Sequence, residues 1–175
     1  ALARGYAVVL FDGPGQGAPL RYENLTARED WENVVGPVID DLETRPQLDD
    51  DHIALIGLSF GGYYAPRAAA FEERVSACVA FDHMHDPFGA AMADSPRASA
   101  IIMGLPSRII NGVARLGARF SIEQRWLLEN YKWVFDVDSA DGIINTLPQY
   151  SLSGEAHEID CPTLVLAGVD DHFVP

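Results

Sequence analysis

Ile53-Ala54-Leu55-Ile56-Gly57-Leu58-Ser59-Phe60-Gly61-Gly62 is the stretch whose reading decides the fold. It begins as an apolar run of strand length, turns sharply through Gly57-Leu58-Ser59-Phe60-Gly61, and continues into a helical pattern over Tyr63 to Phe71. A buried strand feeding a tight turn and then a helix gives a G-x-S-x-G match its meaning, because strain at such a turn lifts the serine hydroxyl clear of its neighbours. Gly57 and Gly61 are expected to remove Cβ atoms that would collide as strand and helix approach. The backbone N–H of Phe60 falls at a helix N-terminus, where it is unpaired and partly positive, ready to receive an oxyanion. A glycine-rich turn with an incidental serine would explain the pentapeptide, but not the strand and helix that flank it.

Outward from this turn, Tyr6 to Phe11 is a continuous apolar run that predicts a strand covered on both faces. Gly13, Pro14, Gly15 and Gly17 follow as a turn-rich loop, which lacks the lysine and hydroxyl of a phosphate cradle. Thr26-Ala27-Arg28-Glu29 has capping-box spacing and predicts a helix from there to about Arg45. Trp31, Val34, Val35, Val38, Ile39 and Leu42 recur at helical spacing as its buried face, and Gly36-Pro37 should kink it. Asp49-Asp50-Asp51 reads as a solvated turn. Val75 to Phe81 is the next strand, and the alternation of strand and helix predicts a parallel sheet.

The rhythm then changes. Asp82 to Glu158 contains no convincing central strand, with helical stretches around Ala98–Leu116 and Ile122–Phe135 punctuated by Pro87, Pro96, Pro106 and Pro148. At about seventy-five residues it is too long for an ordinary crossover. Thr163 to Ala167 resumes the sheet, and Gly168 opens a turn carrying Asp170 and Asp171.

Composition bounds the class. The 175 residues are 48% hydrophobic, enough to bury one core, and 12 basic residues against 26 acidic give a net charge of −14. An acidic surface repels phosphate backbones and anionic lipid, so neither nucleic acid nor membrane is an expected partner. The expected location is cytoplasmic. Cys78 and Cys161 are too few for a disulfide framework and lack metal-ligand spacing, so they read as buried free thiols. No cofactor and no metal is expected. His83-Met84-His85-Asp86 hints at a metal site but lacks further ligands.

Together these segments resemble the α/β-hydrolase superfamily. Gly5 to Gly17 is similar to that family's fourth strand and the loop after it, and Cys161 to Pro175 to its seventh strand and acid-bearing turn. Asp12-Gly13-Pro14-Gly15-Gln16-Gly17 and Tyr63-Tyr64-Ala65-Pro66-Arg67 resemble FrsA-like esterases, dihydroxypseudooxynicotine-hydrolase-like enzymes and dipeptidyl-peptidase-like hydrolases. The resemblance implies a partial α/β-hydrolase fold, a parallel sheet flanked by helices with a helical cap insertion. Residues 1–81 would form the first part of the hydrolase core, 82–158 the cap over the active site, and 159–175 the return to the core. The strands at 6–11 and 53–58 would be separated by a third strand earlier than Ala1, so they must leave a gap or pair directly.

The resemblance also implies catalytic parts. A serine hydroxyl is a poor nucleophile unless a base, oriented by a third group, takes its proton. The family order is Ser, acid, His, with the acid three residues after the turn glycine. Ser59 is then the nucleophile and Asp171 the acid, with Asp170 the neighbouring alternative; two solvated loop aspartates are the plainer account. No histidine here suits the base. His172 adjoins the acid, His52 precedes the strand at its remote end, and His157 is expected to face solvent, while His83 and His85 are placed to line a pocket. The resemblance puts the base beyond Pro175 and the upstream oxyanion loop before Ala1, so a fragment lacking both ends is expected to be inactive alone. Arg67 is expected to make a structural ion pair rather than hold an anionic substrate, and Asp12 and Asp82 to fix loops.

The expected function is a serine hydrolase acting on an ester, amide or activated C–C bond of a small molecule or peptide. The C–C class is kept by the branch resemblance, in which the serine need not become acylated. A non-catalytic fold relative that binds without turnover is the alternative, and oligomerisation is left open.

Overall fold

The computed structural model describes residues 1–82, 85–86, 88–89 and 103–168. Its centre is a sheet of three parallel strands, β1 (Ile53–Leu58), β2 (Val75–Phe81) and β3 (Thr163–Leu166), in the spatial order β1-β2-β3. Leu58 pairs with Phe81 and Phe81 with Leu166, so the three strands end level with one another. The backbone ladder runs one step past that line, with the Ser59 N–H donating to the Phe81 carbonyl and the Asp82 N–H to that of Leu166, both at 2.9 Å. Whatever follows the strands therefore leaves the sheet along one common edge.

Three helices precede or link these strands: α1 (Gly17–Glu23), α2 (Glu32–Glu43) and α3 (Gly61–Phe71). Helix α3 lies on the sheet through Ala65, Ala68 and Ala69, all buried, because small side chains let its backbone approach the strands closely. Helix α2 packs on α3, burying Trp31 at its N-cap and then Val35 and Ile39 at successive turns. Val34, Val38 and Leu42 flank this stripe and are half-buried. Tyr63, Tyr64, Val75, Cys78, Phe135, Tyr150 and Leu152 complete one core. Burying this many apolar side chains, at about 1.5–3 kcal/mol each, is the main favourable term for such a domain.

After β2, the described part of 82–158 is helical: α4 (Ser107–Phe120), α5 (Ile122–Phe135) and α6 (Ala140–Thr146). Helices α4 and α5 meet at Ser121, whose hydroxyl caps α5 by accepting from the Gln124 N–H at 3.2 Å. Ser139 caps α6 in the same way, accepting from Gly142. Asn111 on α4 joins the start of α6, donating from Nδ2 to Asp141 Oδ1 at 2.5 Å and accepting from the Asp141 N–H at 3.2 Å. The end of α5 reaches back to the core, where the Ala27 N–H donates to the Val134 carbonyl at 2.8 Å.

Two sequence expectations are corrected. Tyr6 to Phe11 is not a strand; it has no regular structure and is exposed, with Leu10 91% accessible. A strand exists only by pairing, and β1 pairs with β2 alone, so its other edge carries no partner among the described residues. Of the two outcomes foreseen for 6–11 and 53–58, the gap is what the chain adopts, and Ile56 and Leu58 stand exposed beside it. The capping box at Thr26–Glu29 does not open a helix either. Arg28 turns to pair with Asp30, Trp31 plunges into the core, and α2 starts only at Glu32 with no side-chain cap. Helix α2 runs on past Pro37 to Glu43, as α3 does past Pro66.

Candidate active site

Ser59 occupies the single-residue link between β1 and the N-cap of α3. Its φ is +56°, a left-handed conformation that L residues other than glycine rarely hold, so the backbone there is strained. The strain is held from both sides. The Ser59 N–H is tied to β2, and its carbonyl accepts from the Gly62 N–H at 2.7 Å, closing the first turn of α3. The side chain is left exposed at the level edge of the sheet.

The two motif glycines have different jobs. A Cβ on Gly57 would stand 1.8 Å from the Gly61 carbonyl oxygen and 2.8 Å from the Ala65 Cβ, so strand and helix meet there at a distance only glycine permits. Among the described residues, a Cβ on Gly61 would meet nothing within 4 Å. The expectation that both glycines avoid a collision therefore holds at Gly57, while at Gly61 no described residue stands where a side chain would project.

Phe60 is the N-cap of α3, at φ −59° and ψ −23°. Among the described residues no hydrogen bond uses its N–H, which is the usual state of a helix's first donors. This donor sits one residue after the exposed serine, beside a helix N-terminus that favours negative charge. The Phe60 ring turns inward and meets Tyr64 at 5.0 Å, Tyr150 at 5.5 Å, Phe135 at 6.0 Å and Tyr63 at 6.1 Å between centroids. Burial raises the hydroxyl pKa values of Tyr63, Tyr64 and Tyr150, so this aromatic collar is uncharged at neutral pH. Sequence reasoning missed it, because Phe135 and Tyr150 carry no motif that points to Phe60.

Other candidates take structural places. Arg67 grips Glu32 with two hydrogen bonds of 2.9 and 3.0 Å, binds Glu155 as well, and lies 4.4 Å over the Phe71 ring. Hydrogen bonding to Glu32 raises its pKa despite partial burial, and the ion pair expected of it is what it forms. Asp12 is exposed, and its carboxylate lies against Gly17, where a Cβ would be 1.8 Å from Oδ2. Asp82 follows β2 directly at φ +57°, with its N–H donated to the Leu166 carbonyl. Burial pushes the Cys78 thiol up to about 12, which removes it as a rival nucleophile at neutral pH.

His52 Nδ1 lies 2.9 Å from Asp49 at the opposite end of β1 from Ser59, and that carboxylate raises its pKa. His157 is exposed beside Glu158. His85 lies near Ser153, and its carbonyl accepts from the Leu152 N–H. His83 and His172 lie outside the described residues, as do Asp170 and Asp171, the predicted acid and its alternative. Gly168, from which their position was counted, follows the end of β3, two strands from Ser59 and about 10 Å away at ordinary strand spacing. Among the described residues no group of three or more His, Cys, Asp or Glu side chains could hold a metal, and no helix is long and apolar enough to cross a membrane.

A parallel sheet with one strand, β1, that turns through a strained serine into a helix defines a class, and comparison with known proteins agrees. The chain belongs to the alpha/beta hydrolase family, whose profile matches residues 1–175. Among its relatives, a hydrolase of Aspergillus aculeatus, acrC, is 37% identical over 100% of this chain and 42% of its own length. The 20-hydroxy-prefusarin hydrolase FUS2 of Gibberella moniliformis is 37% identical over 100% of this chain and 44% of its own. The crystal structure of the 2,6-dihydroxy-pseudo-oxynicotine hydrolase superposes with a TM-score of 0.65 at 27% identity, covering 94% of this chain and 38% of that one. The chain thus spans less than half the length of the curated relatives it matches.

Proposed function

We propose that this chain carries the nucleophile and acid of a serine hydrolase that cleaves an ester, amide or activated C–C bond in a small molecule or peptide. The observation that carries the proposal is Ser59 at φ +56°, exposed between the end of β1 and the start of α3. In an acyl transfer, Ser59 Oγ bonds to the substrate carbonyl carbon as a histidine takes its proton. The carbonyl oxygen becomes an oxyanion, and the Phe60 N–H donates to it. Collapse breaks the scissile bond, the histidine protonates the leaving group, and water later releases the acyl group by the same steps in reverse order. Asp171, by resemblance, orients the histidine and stabilises its imidazolium form.

Relatives named as hydrolases at 37% identity support the activity. The helical segment supports a cap, since α5 ends against Phe60 through Phe135 and against the 26–31 loop through Val134. A cap at that place would exclude water and shape the substrate pocket. The test is Ser59→Ala in the intact protein, assayed against a panel of activated esters, anilides and β-diketones. Loss of turnover with an unchanged melting temperature is expected; retained turnover would overturn the proposal.

A further inference from the structure

We propose that Phe135 and Tyr150 are positioning residues for the Phe60 N–H, acting through the Phe60 ring. The inference rests on the serine-hydrolase reading, in which that N–H receives the oxyanion. The N–H itself donates no hydrogen bond among the described residues, and its peptide is held on one side by the Ser59 carbonyl, which accepts from the Gly62 N–H at 2.7 Å. Beyond that bond and those of the Phe60 carbonyl into α3, the residue is held by its side chain. Tyr63 and Tyr64 touch that ring but belong to the same helix, so they move with it. Phe135 and Tyr150 come from the end of α5 and the turn after α6, and they are the distant elements that hold the ring in place.

These two rings also brace each other. Phe135 and Tyr150 stand 5.1 Å apart edge to face, Tyr150 meets Tyr63 at 5.7 Å, and Tyr131 backs Phe135 at 5.7 Å. Both are buried, Tyr150 at 2% accessibility and Phe135 at 8%. Edge-to-face contacts are directional, so a ring enclosed by four others has one favoured orientation. An oxyanion donor acts only if it is aimed at where charge develops, and an error of about 1 Å costs about a hundredfold in rate. The helical segment after β2 therefore contributes to the chemical step, not only to enclosing substrate.

The experiment compares Tyr150→Phe, Tyr150→Leu and Phe135→Leu in the intact protein. Each is measured for kcat and KM on p-nitrophenyl acetate, for its rate of labelling by a fluorophosphonate, and for its melting temperature. Tyr150→Phe keeps the ring and is expected to stay within about twofold of the parent in kcat, because ring packing and not the hydroxyl sets the geometry. Each leucine variant is expected to lose about ten- to a hundredfold in kcat and in labelling rate, with KM within about threefold. Where Tyr150→Leu does not fold, Phe135→Leu, which keeps most of the side-chain volume, decides alone. Folded leucine variants with parental kcat, or a loss confined to KM or to melting temperature, would overturn the inference while Ser59-dependent turnover of the parent stands. A parent whose turnover survives Ser59→Ala would take down the hydrolase reading and this inference with it.

Discussion

Replacing Gly57 with alanine should do far more damage than replacing Gly61, although both are glycines of one pentapeptide. The new methyl at position 57 would lie 1.8 Å from the Gly61 carbonyl oxygen, 2.4 Å from its carbon and 2.8 Å from the Ala65 Cβ. Non-bonded heavy atoms rest at about 3.5 Å, so β1 and the first turn of α3 must separate by more than about 1 Å. Overpacking of this kind costs about 1–3 kcal/mol and more when backbone has to move, which lowers Tm by roughly 10 °C in a domain of this size. The same displacement carries Ser59 and the Phe60 N–H apart, and a shift of that size costs on the order of a hundredfold in kcat. At Gly61, the first helical residue, an added methyl meets none of the described residues, and alanine there should be neutral or stabilising by about 0.5–1 kcal/mol. Thermal melts and ester hydrolysis of the two variants in the intact protein check this. Equal losses, or a larger loss at Gly61, would refute the account of how strand and helix meet.

Three further outcomes are expected. Asp171→Asn should lower kcat/KM by orders of magnitude, about ten-thousandfold as for the acid of a protease triad, and Asp170→Asn much less; steady-state kinetics on one activated ester would show the reverse if the carboxylates are exchanged. Arg67→Met should lower stability by roughly 2 kcal/mol in denaturant titrations, since Glu32 and Glu155 lose their partner, yet leave KM unchanged because Arg67 binds no substrate. Glu72, held below the usual carboxylate range by hydrogen bonds from Arg74, contributes stability above its unfolded pKa of about 4.3 that fades as pH falls through its lower folded value. Glu72→Gln should therefore destabilise at pH 7 by roughly 1 kcal/mol and converge with the parent below about pH 4, as followed by melts across pH.

Local and non-local information divide cleanly in this chain. The sequence made β1, β2, β3 and the helix after Ser59 legible because each is an apolar or small-residue run bounded by turn residues, and the structure starts and ends them within a residue or two. Tyr6–Phe11 has the same signature but is no strand, because pairing depends on a neighbour that residues 6–11 do not themselves specify. The capping box at Thr26 lost to the burial of Trp31 against Tyr64, a stacked pair at 3.8 Å that joins two elements far apart in sequence. At the site, the motif placed Ser59 in the turn between β1 and α3 and Phe60 at the helix N-terminus, and read the close approach at Gly57 for the right reason. The collar of Phe135 and Tyr150 was illegible, because aromatic residues in helices and turns are ordinary until the fold brings them onto one ring.

The central claim is that Ser59 is an activated nucleophile, and covalent labelling tests it most directly. Treating the intact protein with a fluorophosphonate and mapping the adduct by peptide mass spectrometry should place one phosphonyl group on the peptide containing Ser59, with no labelling of Ser59→Ala. An adduct on another residue, or none on a folded parent, would contradict the account.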